Sequence, residues 1–474
     1  MQLANRPVFS SSKRYSVLAA ALSVAVLGAL PCAAQDAAPG QPPAAPAPLP
    51  KFTPYHAGGI YNVGDKAGWT ITIPEGVTPP KEPYTYSIQI NEVAQGATTG
   101  ELDLSSGKAT LEVPSDKPEM VFIVISPPGA QNGRGRGGFG GGFGGRGRGR
   151  GTPQHAWQIG AAIAPTKLEP TAAKPADFDS FWDGKLKALA AVPINPQLTE
   201  VDQHPEGQKV YQFKLDSVDS HVQGWLAKPD KDGKFPALIL YQYAGVYALP
   251  VTNVTNRAAK GWLCMDVDSH DIPPTQGPTP QLNGYQSFGN TDREKCYFLD
   301  MYLRDTRAVQ YIKSRPDWDG KTIVLMGTSM GGQQTLVTAG LNDGITAAVA
   351  WVPSGTDFNG DLHGHKVGYP NWNSSNPQVA ETGLYFDVVN FAPRIKAPTF
   401  IGMGFLDQIA SPVGIWTAYN QIPGPKEIVP MPEAGHNNEA PAEIEKAWTS
   451  RAEEVLTTVL EGGKLTSKGA PAAQ

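Results

Sequence analysis

The chain reads as a doubly wound, mainly parallel α/β sheet preceded by a small all-β domain, and three observations carry that expectation. From Lys174 onward, short apolar runs alternate with helical stretches, the pattern of a parallel sheet covered on both faces. Before it, from about Phe52 to Pro165, short β-rich runs follow one another with mainly Gly, Pro and Asp between them. The third observation is Gly327-Thr328-Ser329-Met330-Gly331, a glycine-flanked serine lying between an apolar run and a helical one.

The chain has 474 residues, so two domains after removal of a targeting segment are expected. Lys13 and Arg14, the apolar stretch from Val17 to Leu30 and the small residues before Gln35 describe a signal peptide over 1–34, cut after Ala34. The apolar run is short for a spanning helix, so a periplasmic or secreted protein without a membrane span is expected. Residues 35–51, rich in Ala and Pro, read as a semi-rigid linker. Charged residues make up only 18% and the net charge is −5, which argues against a nucleic-acid partner. Beyond the leader only Cys264 and Cys296 remain, too few for a disulfide framework or a paired-cysteine zinc site.

In the all-β domain, 52–165, the strand candidates are Trp69–Ile73, Tyr84–Ile90, Ala109–Val113, Val121–Ile125 and Ala156–Ile159. Their close spacing suggests an immunoglobulin-like sandwich. Exposed Trp or Tyr could make it a carbohydrate-binding module, but aromatics in strands are usually core, which favours a structural or interface role. Residues 129–151 interleave Gly with Arg134, Arg136, Arg146, Arg148 and Arg150 and hold no acidic residue, so a disordered loop is expected.

The α/β domain, 174–462, opens on Asp177–Asp183, a cap leading into an amphipathic helix with Phe178, Phe181, Trp182 and Leu186 on one face. Val210–Leu215 and Val222–Lys228 pair as antiparallel strands. Pro236–Tyr241, Trp262–Asp266, Ile323–Met326, Ala347–Val352 and Thr399–Met403 are short apolar strands, and Asp292–Ser314 has helical spacing. Residues 463–474 read as a disordered tail.

Strand, Gly-flanked turn and helix around Ser329 are the context of a nucleophile elbow. A serine nucleophile needs a base to take its proton and an acid to orient that base. Asp407 lies just past the apolar strand that ends in Met403–Leu406, and His436 follows in the loop Pro432–Asn437. This is the chain order Ser…Asp…His of α/β-hydrolases. Asp343, Asp357, Asp361 and Asp387 compete for the acid role, but none so directly ends an apolar strand. An oxyanion hole needs two converging donors: the backbone N–H of Met330, and one from Tyr243 or Ala244 in the turn Gln242–Gly245. His363-Gly364-His365 has a ligand-like spacing but no strand pattern and no third ligand, so a polar loop is expected and no metal or other cofactor is required. Asp266–Asp271 follows a strand and either faces the site or serves structural hydrogen bonding.

On these residues the chain resembles the acetyl xylan esterase/cephalosporin C deacetylase family. The likeness rests on Asn390–Pro398, Gly404-Phe405-Leu406-Asp407, Ala418–Glu427 and Gly435-His436, with Ala176–Asp183 and Val222–Trp225 in support, and spans roughly Lys174 to Leu460. It implies an α/β-hydrolase that removes small acyl groups, chiefly acetyl, from carbohydrates through Ser329, Asp407 and His436, and is often a homo-oligomer. The chain departs from the family in Met330, where Gln is usual, in His436-Asn437, where His-Glu is usual, and near Asp268-Ser269-His270, where an Arg-Gly-Gln element is absent. The Met330 side chain is expected to mark a difference in substrate. A serine peptidase of the prolyl-oligopeptidase type shares fold and triad order, and a non-catalytic polysaccharide-binding protein on a hydrolase scaffold is the alternative outside enzymes.

Overall fold

A computed structural model describes residues 50–128, 156–437 and 440–473. The expected signal peptide, nearly all of the linker and the Gly/Arg segment 129–151 lie outside the described residues.

Eight strands come first: β1 (Lys51–Pro54), β2 (Ile60–Tyr61), β3 (Ala67–Thr72), β4 (Tyr84–Ile90), β5 (Val93–Leu102), β6 (Lys108–Val113), β7 (Glu119–Ser126) and β8 (Trp157–Ile163). They form a three-stranded sheet, β1-β3-β6, and a five-stranded sheet, β2-β8-β7-β4-β5. Trp69, Ile71 and Leu111 from the first share a core with Ile123, Ile125 and Ile163 from the second. Trp69 and Tyr84 are buried, and Trp157 packs on Tyr84 with ring centroids 5.4 Å apart. These aromatics hold the domain together instead of presenting a stacking face. Strand β5 carried no sequence signal because it is a largely exposed edge containing Gly96 and Gly100.

The main sheet has nine strands: β9 (Gln197–Glu200), β10 (Gln208–Asp216), β11 (His221–Pro229), β12 (Phe235–Tyr241), β13 (Leu263–Asp268), β14 (Trp318–Thr328), β15 (Ala347–Trp351), β16 (Thr399–Gly404) and β17 (Lys426–Met431). Their order is β17-β16-β15-β14-β12-β13-β11-β10-β9. From β17 to β13 all neighbours are parallel, and β11, β10 and β9 continue antiparallel. Alternation along the parallel strands sends Leu238, Val324, Val349 and Phe400 to one face, where helices Thr252–Ala258 and Ala442–Leu460 cover them. Ile239, Leu325, Ala348 and Ile401 face the other side, under helices Phe178–Ala191, Tyr297–Ser314, Met330–Leu341 and Pro412–Gln421. Each fully buried Ile, Leu or Val there contributes about 1.5–3 kcal/mol, which is why these strands read as near-continuous apolar runs.

Some local expectations are revised. The helix expected over Asp292–Ser314 begins at Tyr297, because the Asp292 carboxylate accepts from Glu294 N–H and holds a turn there. Asp177 stands at the N-cap of helix Phe178–Ala191, but its side chain makes no capping bond; its carboxylate takes Arg293 Nη1 at 2.7 Å and the Tyr385 hydroxyl. The segment expected to be a free tail is held: Lys468 N–H donates to Glu427 at 2.9 Å, Arg451 donates to Thr466 O at 2.6 Å, and Gly469 bridges Glu427. The buried Arg451–Glu427 pair needs these extra partners to satisfy its polar atoms.

β12 and β14 are neighbours, and the chain leaves β12 for β13 on one side and β14 for β15 on the other. The crevice at the carboxyl ends of β12 and β14 is therefore a topological switch point, where open α/β sheets place their sites.

Candidate active site

Ser329 stands in that crevice, on the one-residue turn from β14 into helix Met330–Leu341, with φ 58° and ψ −120°. A non-glycine residue there is disfavoured by hard-sphere contacts, and such outliers gather at functional sites. The turn is held by Ser329 N–H to Trp351 O at 2.9 Å and by Gln333 N–H to Ser329 O at 3.0 Å. Both flanking glycines are required by close approach. A Cβ on Gly327 would stand 2.2 Å from Gly331 O, and one on Gly331 would stand 2.3 Å from Tyr241 O. Gly331→Ala is expected to push the turn after Tyr241 aside and cost on the order of 10²-fold in kcat, since displacing a catalytic group by about 1 Å does so; ester hydrolysis per folded molecule, with folding followed by circular dichroism, checks this.

The structure brings the three expected residues together. Asp407, fully buried after β16, has Oδ2 2.8 Å from His436 Nδ1, and His436 Nε2 lies 3.1 Å from Ser329 Oγ. A carboxylate only accepts, so Nδ1 carries the proton and Nε2 is left to accept from the serine hydroxyl. Asp407 Oδ1 accepts from Ile409 N–H at 2.9 Å and Ala410 N–H at 2.8 Å, which fixes the carboxylate's plane. The competing aspartates lie elsewhere: Asp343 pairs with Lys396 at the surface, Asp361 is exposed, Asp387 accepts from Asp357, Phe358 and Val389 N–H groups, and Asp357 binds Thr171 and His365. With His365 held by Asp357, the His-x-His pair is a structural loop; no cluster suited to a metal is present among the described residues.

The turn Gln242–Gly245 faces the elbow across β12. Gln334 Nε2 donates to Gln242 O at 2.9 Å and Met330 O at 3.1 Å, tying that turn to the start of the elbow helix. Ser269 donates its N–H to Gln242 Oε1 at 2.9 Å and its hydroxyl to Gln334 Oε1 at 2.8 Å, while Arg304 holds Ser269 O at 2.7 Å. Burial pushes His270 down to about 4, so its ring is neutral; Nε2 donates to Gly245 O at 3.0 Å and Nδ1 accepts from the Tyr297 hydroxyl at 2.9 Å. Thus Asp268-Ser269-His270 anchors the turn instead of facing the site. Gly245 N–H is committed to the Tyr285 hydroxyl at 3.0 Å, which keeps Tyr243 and Ala244 as the candidate second donors. Met330 opens its helix, so its N–H has no carbonyl one turn back. Its side chain, however, is fully buried, with Sδ 3.3 Å from the Tyr369 hydroxyl and 3.5 Å from that of Tyr285. A thioether suits this core position, where it fills space and weakly accepts.

A cleft of 530 Å³ is lined by Gly327, Thr328, Tyr243, Tyr247, Asn253 and Arg257, but not by Ser329, Asp407 or His436. Tyr243 is 51% exposed and stacks on Tyr247 at 4.5 Å, so its outer face is open.

Comparison with known proteins gives a consistent result. The family profile described as acetyl xylan esterase matches residues 166–451. Acetyl esterase Axe7A from Xylanibacter ruminicola is 29% identical over 401 residues, covering 81% of this chain and 85% of that protein. Among solved structures, acetyl xylan esterase from Paenibacillus sp. R4 is similar at 26% identity, with a TM-score of 0.53 over 61% of this chain and 98% of the other. Acetyl xylan esterase 1 from Thermoanaerobacterium sp. JW/SL YS485 shares the fold at 23% identity, with a TM-score of 0.52 over 61% of this chain and 97% of the other.

Proposed function

The chain belongs to the acetyl xylan esterase family and is a carboxylic ester hydrolase, and from that premise we propose that it is an exported serine esterase that removes acetyl groups from carbohydrate hydroxyls. The observation that carries the mechanism is the chain of contacts from Asp407 through His436 to Ser329 Oγ, at 2.8 and 3.1 Å. Ser329 Oγ attacks the ester carbonyl while His436 Nε2 takes its proton. The tetrahedral oxyanion is stabilised by Met330 N–H and by an N–H of Tyr243 or Ala244. His436 returns the proton to the departing sugar oxygen, leaving an acetyl-serine. Water, deprotonated by the same imidazole, releases acetate. Asp407 fixes the ring's tautomer and stabilises the imidazolium at each stage.

The sugar is placed against Tyr243, whose open aromatic face suits the apolar face of a pyranose. Acetate release from acetylated xylan, and none of the amine release from an aminoacyl-prolyl substrate that a peptidase would give, is the expected outcome; the reverse preference would overturn the reading. Tyr243→Ala is expected to raise KM for an acetylated xylo-oligosaccharide by about 10-fold, as truncating an aromatic anchor costs more than about 1 kcal/mol. KM for p-nitrophenyl acetate should change far less, and parallel kinetics on the two esters check this.

A further inference from the structure

The hairpin joining β4 and β5 turns at Asn91-Glu92, and both residues hold left-handed backbone, φ 49° and 58°. Two-residue turns of this kind prefer glycine in the second place, so a glutamate there is a strained choice. Its side chain does not reach solvent. Glu92 is 6% exposed, with Oε1 3.3 Å from Lys366 Nζ and Oε2 accepting from Ser411 Oγ at 3.1 Å. Ser411 ends the turn that begins at Asp407 and stands directly before helix Pro412–Gln421.

The neighbouring asparagine completes the attachment. Asn91 O accepts from Lys366 N–H at 3.0 Å, its Nδ2 donates to Gly364 O at 3.4 Å, and its Oδ1 accepts from Met120 N–H of β7 at 2.8 Å. A second contact reaches the same turn from its other end. Gly160 of β8 lies so close to the chain before Asp407 that a Cβ on it would stand 3.1 Å from Phe405 Cβ and 3.2 Å from Leu406 Cδ2. Ile60, Met120 and Ala162 of the five-stranded sheet also share one apolar core with Phe405 and Trp416.

We propose that the N-terminal β domain is part of the frame of the catalytic centre, and that Glu92 is a positioning residue that holds the Asp407–Ser411 turn and so sets the orientation of His436. This rests on the reading of Asp407 as the acid of a Ser329-His436-Asp407 triad. It explains why a glutamate is kept at a backbone position suited to glycine: the carboxylate, not the turn, is what the site uses. It also gives the β domain a role that needs no carbohydrate binding.

The charged groups about Glu92 are Lys366, which favours its ionised form, and Asp407, which opposes it; burial is the larger influence and pushes Glu92 up to about 7.

The test uses the full chain and three variants, with kcat expressed per folded molecule. Glu92→Gly fits the left-handed backbone, so its Tm should equal or exceed that of the parent, while its kcat on p-nitrophenyl acetate falls by about 10-fold with KM within about twofold, as loss of orientation predicts. Glu92→Gln can still accept from Ser411 through its amide oxygen and should recover most of kcat. Ser329→Ala serves as the control. If Ser329→Ala is inactive yet Glu92→Gly keeps parental kcat, the positioning role is overturned and the triad stands. Full turnover by Ser329→Ala would overturn the triad itself, and the positioning role with it.

Discussion

Replacing Ser329 with alanine is expected to lower kcat for p-nitrophenyl acetate by about 10⁴-fold or more, because nucleophile and base act as a unit and removing one disables both. The fold should be retained. Ser329 is 5% exposed and its hydroxyl reaches His436 at 3.1 Å, so alanine removes one hydrogen bond and relieves no packing. A residual rate above water is expected from the oxyanion donors, which are backbone groups and survive the change. Steady-state kinetics on the purified variant, with thermal unfolding to confirm an intact fold, is the check; a loss smaller than about tenfold would point to another nucleophile.

Asp407→Asn is expected to cost about 10³- to 10⁴-fold in kcat while leaving KM nearly unchanged. Asp407 Oδ1 accepts two backbone N–H groups, from Ile409 and Ala410. An asparagine must keep its carbonyl oxygen there, because an NH₂ facing two donors would be unpaired and crowded. Its amide nitrogen is then turned toward His436 Nδ1, which must accept. The proton moves to Nε2, the nitrogen that should take the proton of Ser329 Oγ, and the base is disabled by tautomer with the geometry preserved. The same two N–H groups that hold the carboxylate therefore make this substitution severe. Hydrolysis rates across pH, read beside those of Ser329→Ala, check it: a variant near parental activity would show that Asp407 does not orient the base.

What could be read in the sequence follows from burial and from distance along the chain. Strands β12 to β16 are buried on both faces, so they stand out as apolar runs, whereas β5 and β9 are exposed edges without a pattern. The placement of Ser329, Asp407 and His436 was legible because each follows the carboxyl end of a parallel strand, β14, β16 and β17. The residues that support them were not. Gln242 and Gln334 lie 92 positions apart and Glu92 and Ser411 lie 319 apart, and no local pattern joins them. The surroundings of the Met330 side chain were hidden for a related reason. The backbone requirement at the elbow was visible, but the direction of the side chain depends on Tyr285 and Tyr369, which reach it through tertiary packing alone. The tail after Leu460 misled, because Arg451 and Glu427, which capture it, lie upstream in elements with ordinary helix and strand composition.

The two-domain division read from the sequence is less sharp in space. The five-stranded sheet shares its outer core with Phe405 and Trp416, so the β domain is packed onto the element that carries the acid.

The most direct measurement is peptide mapping of the full chain after reaction with a fluorophosphonate and, separately, after rapid acid quench during acetyl ester turnover. A mechanism through an acyl-serine requires the phosphonyl and acetyl adducts on one peptide, at Ser329, and neither in Ser329→Ala. Turnover with no adduct at Ser329, or an adduct on another residue, would contradict it.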